Sequence, residues 1–418
     1  MKKNRKKAES EKTLSPNAKK IFFCSAVILA LLVTAGLIFI LSPSKHYTVA
    51  FYKIPDQQKQ GITSTLEKIA SEKKITLKYI TYDSEKSLKS QLPIAKKPQL
   101  LFTLGGRPLE DALEKVSSKT KIQAELTQGL TSSMKSAIKR EEDNIKALPL
   151  LSSHLEVDID LNEFRNSDIK QINTWKDVER FMNEQKKRKE APMIFAGGNS
   201  ALMLDIMGAF AESIDGVSSY NQAVKILKDN EKNFNPVRTA IKLCDEPDSP
   251  LATTVEQLKN WYQKGLLHPG IFSFQNSDVE AFASSRFSSV LFMTLESHRA
   301  ARQNTISRFT SIYLPSEHSP NSRIFTGNIY YAIPLSKSKN STLILKELMS
   351  PACQESLSRS TGLAPVLAQC RTPDKQADDA RYWIAATEAP LPGLSNEIYL
   401  TKEQKNALAS EISARIRN

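Results

Sequence analysis

The chain has 418 residues, with 58 Lys and Arg against 45 Asp and Glu, a formal charge of +13, and it is 40% hydrophobic and 25% charged. At about 150 residues per domain this length predicts two or three folding units, and the composition excludes a wholly disordered chain and a polytopic membrane protein. Fourteen Gly, 20 Pro and 4 Cys also exclude a collagen-like chain and a disulfide-dense scaffold.

Residues 1–20 carry a net +6, so only +7 is spread over the rest. That remainder forms no basic patch, and no nucleic-acid partner is expected. Residues 21–41 contain no charge. As a helix they would span about 31 Å, enough to cross a bilayer core. The basic tail before them is expected to stay in the cytoplasm, with the bulk of the chain extracytoplasmic. The competing reading is a cleaved signal peptide, but its apolar region is normally about 7–15 residues, and Ser42-Pro43-Ser44 is a poor cleavage site. Cys24 sits near the start of the apolar run, badly placed for lipidation.

Beyond the anchor, 46–52 alternates as a strand through Tyr47, Val49 and Phe51. Residues 56–73 repeat Ile62, Leu66 and Ile69 at helical spacing. A strand at 75–82, a short helix at 84–92 and a strand at 99–104 follow. Gly105-Gly106 ends that strand, and Pro108 suits the first turn of a helix. Residues 148–160 are extended, and Asn173 or Thr174 can cap a helix over 175–185. A second strand–turn–helix unit comes at 192–196, with Gly197-Gly198 as the turn and Asn199 as the N-cap of 200–211. A helix is predicted at 254–264, strands at 290–294 and 325–334, and helices at 341–349 and 401–416. Strands alternating with helices predict parallel sheets. Two Gly-Gly turns at strand ends predict two lobes with a polar cleft between them. The plainer reading makes each Gly-Gly only a tight turn.

The chemistry-bearing patterns are mostly missing. There is no GxGxxG, Walker A, GxSxG or HExxH run. Asp158-x-Asp160-x-Asn162 starts like a calcium loop but has Glu163 at the sixth position and Ile169 at the twelfth. Tyr330-Tyr331 reads as neighbouring strand residues on opposite faces, in preference to a pair of iron ligands. Ser153-His154 has no carboxylate placed behind it, so no triad follows. Cys353 and Cys370 are a candidate disulfide, the other reading being buried thiols together with Cys244. Trp175 and Trp261 read as core residues, and Trp383 as the aromatic candidate for stacking on a ligand.

Several segments in this order resemble the extracellular solute-binding proteins of ABC importers, the large group that contains maltose-binding protein. They are 148–160, Asn173-Thr174-Trp175-Lys176-Asp177, 191–210, 281–299 and 327–366. The resemblance spans about 46–418. It implies an α/β, two-lobed periplasmic-binding-protein-like (type II) fold with a hinge, here preceded by one transmembrane helix. It places lobe one at 46–148 with 289–325 and lobe two at 155–284 with 332–418, with crossings near 148–160, 283–290 and 325–334. The ligand positions it implies are Gly105, Gly106, Arg107, Ser152, Ser153, Gly197, Gly198 and Asn199. The later ones are Glu296, Ser297, His298, Gly327, Asn328, Tyr330 and Trp383. It implies a polar, carbohydrate-like ligand and ABC permease partners; with the chemistry-bearing patterns missing, no cofactor, metal or catalysis is expected. The alternative is a binding fold that has lost transport and acts as a sensor or scaffold with a membrane partner. The chain departs from the family at Glu296-Ser297-His298, where Gly and Trp are common, and at Ser284-Ser285, where a Gly is usual.

Overall fold

The computed structural model describes residues 46–418 apart from 93–96, 118, 142–143, 247, 318–326, 371–374 and 388–389. The basic tail and the membrane segment expected at 21–41 lie outside the described residues. Among the described residues no helix is long and apolar enough to cross a membrane.

Lobe one is built on a mixed sheet. Its strands are β1 (His46–Tyr52), β2 (Thr76–Thr81), β3 (Leu100–Leu104), β4 (Lys139–Glu141), β5 (Asn144–Ser152), β10 (Ile329–Pro334) and β11 (Ala364–Pro365). Their order is β11-β5-β10-β3-β1-β2, with β4 also on β5. β3 and β10 are buried throughout, as central strands covered on both faces must be. The helix Asp56–Lys73 turns Ile62, Leu66 and Ile69 inward and packs on the helix Pro351–Thr361. It stops where Lys74 adopts the left-handed conformation and its N–H caps the last turn.

Lobe two holds the second sheet, β7 (Met193–Phe195), β8 (Val290–Thr294), β6 (Leu155–Asp160) and β9 (Phe309–Ile312), in that order. Its core centres on Trp175, which stacks on Phe210 at 4.1 Å and meets Trp261 and Phe292 edge-on or tilted at 6.0 Å. The indole N–H donates to Ser213 Oγ at 2.8 Å, so this large ring is buried with its polar atom satisfied. Thr174 caps the helix Trp175–Lys186 through a reciprocal box with Asp177.

Pairing corrects two expectations. The sheets are mixed, not parallel. β1 and β3 run parallel, as do β7 and β8, but β10 is antiparallel to β3 and β5, and β6 is antiparallel to β8 and β9. The lobe boundaries also move. β8 pairs with β6 and β7, so the stretch from 289 through β9 belongs to lobe two, not lobe one. β10 inserts between β3 and β5, which puts 329–385 in lobe one. The closing segment from Leu391 returns to the core of lobe two. The crossings are therefore Ser153-His154, the connection from β9 to β10, and the stretch after the helix Lys375–Ala385. None occurs at 283–290.

Cys353 and Cys370 are free thiols, as is Cys244. The Cys370 thiol turns to the Pro351 carbonyl, Sγ to O 3.7 Å, instead of bonding to Cys353.

Replacing Trp175 with Ala should cost about 3–5 kcal/mol of stability, the usual range for a fully buried aromatic. Urea unfolding of the 46–418 unit measures this. A loss under about 1 kcal/mol would contradict the assignment of Trp175 to the core.

Candidate functional site

The carboxyl ends of β1, β3, β7 and β8 and the end of β5 set out the rim where a ligand would sit in an open α/β fold. The chain crosses between the lobes at Ser153-His154, and two backbone bonds fix this crossing. Ser153 N–H donates to the Asn328 carbonyl at 2.7 Å, and Leu295 N–H donates to the His154 carbonyl at 2.9 Å. The Ser153 hydroxyl donates to the Glu296 carboxylate. Burial raises the Glu296 pKa above the ordinary carboxylate range, and the Ser153 bond opposes that shift. His154 stays neutral, because burial pulls its pKa down to about 4. Its ring lies 5.6 Å from Trp383, which also meets Tyr313 at 6.0 Å.

Gly105 N–H donates to the Ile329 carbonyl at 2.9 Å, tying the end of β3 to the start of β10. Gly106 has φ +77° and lies against the closing segment, where an added Cβ would stand 2.6 Å from the Asn396 carbonyl oxygen. Only glycine satisfies both constraints. Asn396 Nδ2 donates to Asn328 Oδ1 at 2.5 Å, and Gly327 N–H donates to the Leu391 carbonyl at 3.0 Å. The structure thus brings Gly105, Gly106, Ser153, Glu296, Gly327 and Asn328 into one region around the crossings.

Charged side chains link the lobes beside it. Arg107 of lobe one lies 3.7 Å from Glu231 of lobe two and 3.2 Å from its own neighbour Glu110. Lys228 of lobe two reaches Glu110 at 3.2 Å and Glu397 at 3.1 Å. The Tyr399 ring takes the Arg107 guanidinium at 5.5 Å and the Lys53 ammonium at 5.0 Å. Burial lowers the Lys53 pKa to about 8, with Lys405 adding to the shift. Lys53 follows β1 directly, and Lys53, Glu231, Asn396 and Tyr399 were absent from the sequence-based set. The position of Lys53 at a strand end was a usable signal. The other three depend on tertiary pairing.

The remaining expected residues fall elsewhere. Gly197 and Gly198 admit the loop 271–274, since an added Cβ would stand 2.7 Å from the Ile271 carbonyl oxygen or 2.6 Å from that of Ser273. They line a separate cavity of about 350 Å³ with Ser273 and Arg417. Asn199 is exposed and caps the helix Ser200–Asp215 by accepting from Leu202 N–H at 3.2 Å. Ser297 accepts from Asn276 at 3.3 Å within lobe two. Ser152 and Tyr330 are buried in the lobe-one sheet, so neither side chain is open to a ligand. His298 lies against a buried carboxylate pair, and it also lines a cavity with Gln57 and Arg359 of lobe one. Burial lowers its pKa, but Asp158 and Glu156 outweigh that and lift it to about 10.

Two predictions follow from this geometry. Ion pairs between partly exposed groups contribute about 0–1 kcal/mol each, so the lobes are clasped weakly. Changing Arg107 and Lys228 together to Ala should leave unfolding stability within about 2 kcal/mol of wild type yet increase the radius of gyration seen by X-ray scattering. An unchanged radius would count against a clasp. Asp205 gives a pH test. It accepts from Ser395 N–H at 2.9 Å, and burial raises its pKa to about 6. The folded state thus holds the proton more tightly than the unfolded chain. That contribution is complete below about pH 4 and is lost as pH rises through about 6. Asp205→Asn should therefore gain about 2 kcal/mol on the wild type between pH 4 and pH 7, read from urea midpoints. A difference that does not vary with pH would overturn the assignment.

No protein-family model and no curated protein matches the chain. Solved structures do. A binding protein MsmE from Bacillus subtilis, in an open conformation, aligns with TM-score 0.66 and 16% identity over 90% of this chain and 93% of its own. The extracellular solute-binding protein from Staphylococcus aureus in complex with maltose gives 0.56 and 15%, over 90% and 98%. A sugar transporter from Bacillus licheniformis in complex with stachyose gives 0.58 and 12%, over 88% and 98%. Over about 90% of its length the chain has the two-lobed α/β fold of these solute-binding proteins.

Proposed function

We propose that the chain is an extracytoplasmic solute-binding protein, held at the cell membrane by residues 21–41. It captures a polar, carbohydrate-like small molecule between its lobes and delivers it to an ABC importer permease. The observation that carries this reading is the hinge. Two separately cored lobes are joined at Ser153-His154 and touch across it through polar side chains. Sugar hydroxyls both donate and accept, so they can replace such contacts one for one. Arg107, Glu231, Glu296, Asn328 and Asn396 are the groups that would exchange partners. The similar structures solved with maltose and stachyose support the ligand class.

The role is binding, not catalysis. Ser153 turns to Glu296, and His154 packs on Trp383, so the two do not form a nucleophile and base.

A second reading has its own support. Arg107, Glu296 and Asn328 already have partners within the fold. A chain whose cleft groups are satisfied internally could act as a sensor or scaffold with a membrane partner. Deleting residues 1–41 separates the two. Lost uptake fits transport, whereas unchanged uptake with lost signalling fits the sensor.

Thermal-shift screening of the 46–418 unit with sugars, oligosaccharides, polyols and peptides tests the binding reading. A ligand at about 100 times its Kd adds about 2.7 kcal/mol to stability and should raise Tm by several degrees. Arg107→Ala should weaken that ligand about tenfold or more, as loss of a charged hydrogen bond does. No stabilisation by any compound would contradict it.

A further inference from the structure

The carboxylates that fail as a calcium loop in the sequence fold into something else. β6 alternates, with Leu155, Val157 and Ile159 in the core and Glu156, Asp158 and Asp160 on the opposite face. Glu156 and Asp158 are both 0% exposed. Asp160 is taken up separately, pairing with Arg308 at 3.3 Å and capping the helix Leu161–Arg165.

The helix Leu295–Ala300 brings His298 over the other two. Its Nδ1 is 3.0 Å from Asp158 Oδ1 and 3.3 Å from Glu156 Oε2. Ser311 of β9, the register partner of Asp158, adds a fourth atom. Its Oγ lies 2.5 Å from Asp158 Oδ1, 3.1 Å from Glu156 Oε2 and 3.4 Å from His298 Nδ1. Two buried carboxylates converge on one imidazole, an arrangement that is costly to desolvate unless each oxygen is satisfied. Asp158 Oδ2, on a wholly buried side chain, has no hydrogen-bond partner among the described residues.

We propose that Glu156, Asp158, His298 and Ser311 form a binding site for one divalent transition-metal ion of the Zn²⁺ or Mn²⁺ class. Such ions hold N and O ligands at roughly 2.0–2.2 Å, which sets neighbouring ligand atoms roughly 3.0–3.6 Å apart. Four of the five separations above fall in that range, and the Ser311–Asp158 contact lengthens by about half an ångström when the ion replaces their hydrogen bond. An imidazole with carboxylates selects this class over calcium, which takes oxygen ligands. The ion takes the place of the proton on His298 Nδ1, so that the imidazole binds it as a neutral ligand. His298 and Ser311 also line a cavity of about 560 Å³ whose other walls include Gln57 and Arg359 of lobe one. An ion there would anchor the short helix that carries Glu296, the partner of the Ser153 hydroxyl at the crossing.

The test uses the full chain, purified without an affinity tag and stripped with chelator. Zinc or manganese chloride is titrated by calorimetry, and retained metal is counted by mass spectrometry after gel filtration. One ion per chain and a Tm raised by several degrees are expected. Asp158→Asn and His298→Ala should each weaken binding at least tenfold with unchanged far-ultraviolet circular dichroism. If either fails to fold, Ser311→Ala removes only a hydroxyl and should weaken binding several-fold. A folded wild-type chain that takes up neither metal overturns the proposal. So does unchanged affinity in the folded variants, which would place the metal elsewhere.

Discussion

The two backbone hydrogen bonds at Ser153-His154 are the constraint on which the rest of the structure depends. They lock the junction of β5 and β6 to Asn328 on one side and Leu295 on the other. Because β5 is an interior strand of one sheet and β6 of the other, this dipeptide sets how the carboxyl ends of the strands face each other. Each lobe has a large apolar core of its own, so neither relies on the other for burial of its sheet. What passes between them includes the polar pairs Arg107–Glu231 and Lys228–Glu110 beside the apolar contacts of Leu295 and of Tyr313 with Trp383.

That division of forces gives the molecule two energy scales. Unfolding a lobe exposes Trp175, Phe210 and Phe292, or Phe51 and Phe102, each contributing about 1.5–3 kcal/mol by burial alone. Separating the lobes breaks contacts such as Arg107–Glu231 and Lys228–Glu110, each contributing about 0–1 kcal/mol. Motion about the crossings is therefore much easier than disruption of either lobe. A polar ligand that replaces those contacts would meet little resistance, while the cores keep the rim in register.

Much of this was legible in the sequence. The strand at 46–52, the helix at 56–73, the strand at 290–294 and the capped helices at 175 and 200 match the observed elements closely. Each has a strong periodicity or an N-cap that acts locally. The core roles of Trp175 and Trp261 were also evident from their helices. The assignment of strands to lobes was not, because no local pattern says whether β8 joins β6 or β3. The result is that 289–312 belongs to lobe two. The candidate site divided for the same reason. Gly105 and Gly106 lie at the rim, but Gly197 and Gly198 pack against the loop 271–274, and a Gly-Gly pair after a strand reads identically in both cases. His298 lines a cavity with Gln57 and Arg359, but its carboxylate partners Asp158 and Glu156 on β6 had no local signal in the sequence.

The most direct test of hinged closure is the inter-lobe distance in solution. Spin labels at Lys119→Cys in lobe one and Lys232→Cys in lobe two, both exposed positions, can be read by pulsed electron paramagnetic resonance with Cys353 changed to Ser. The account predicts a broad distance distribution without solute. It should collapse to one narrow population when a solute that raises Tm is added. A single narrow distance that no solute changes, even in a variant lacking Arg107 and Lys228, would contradict it.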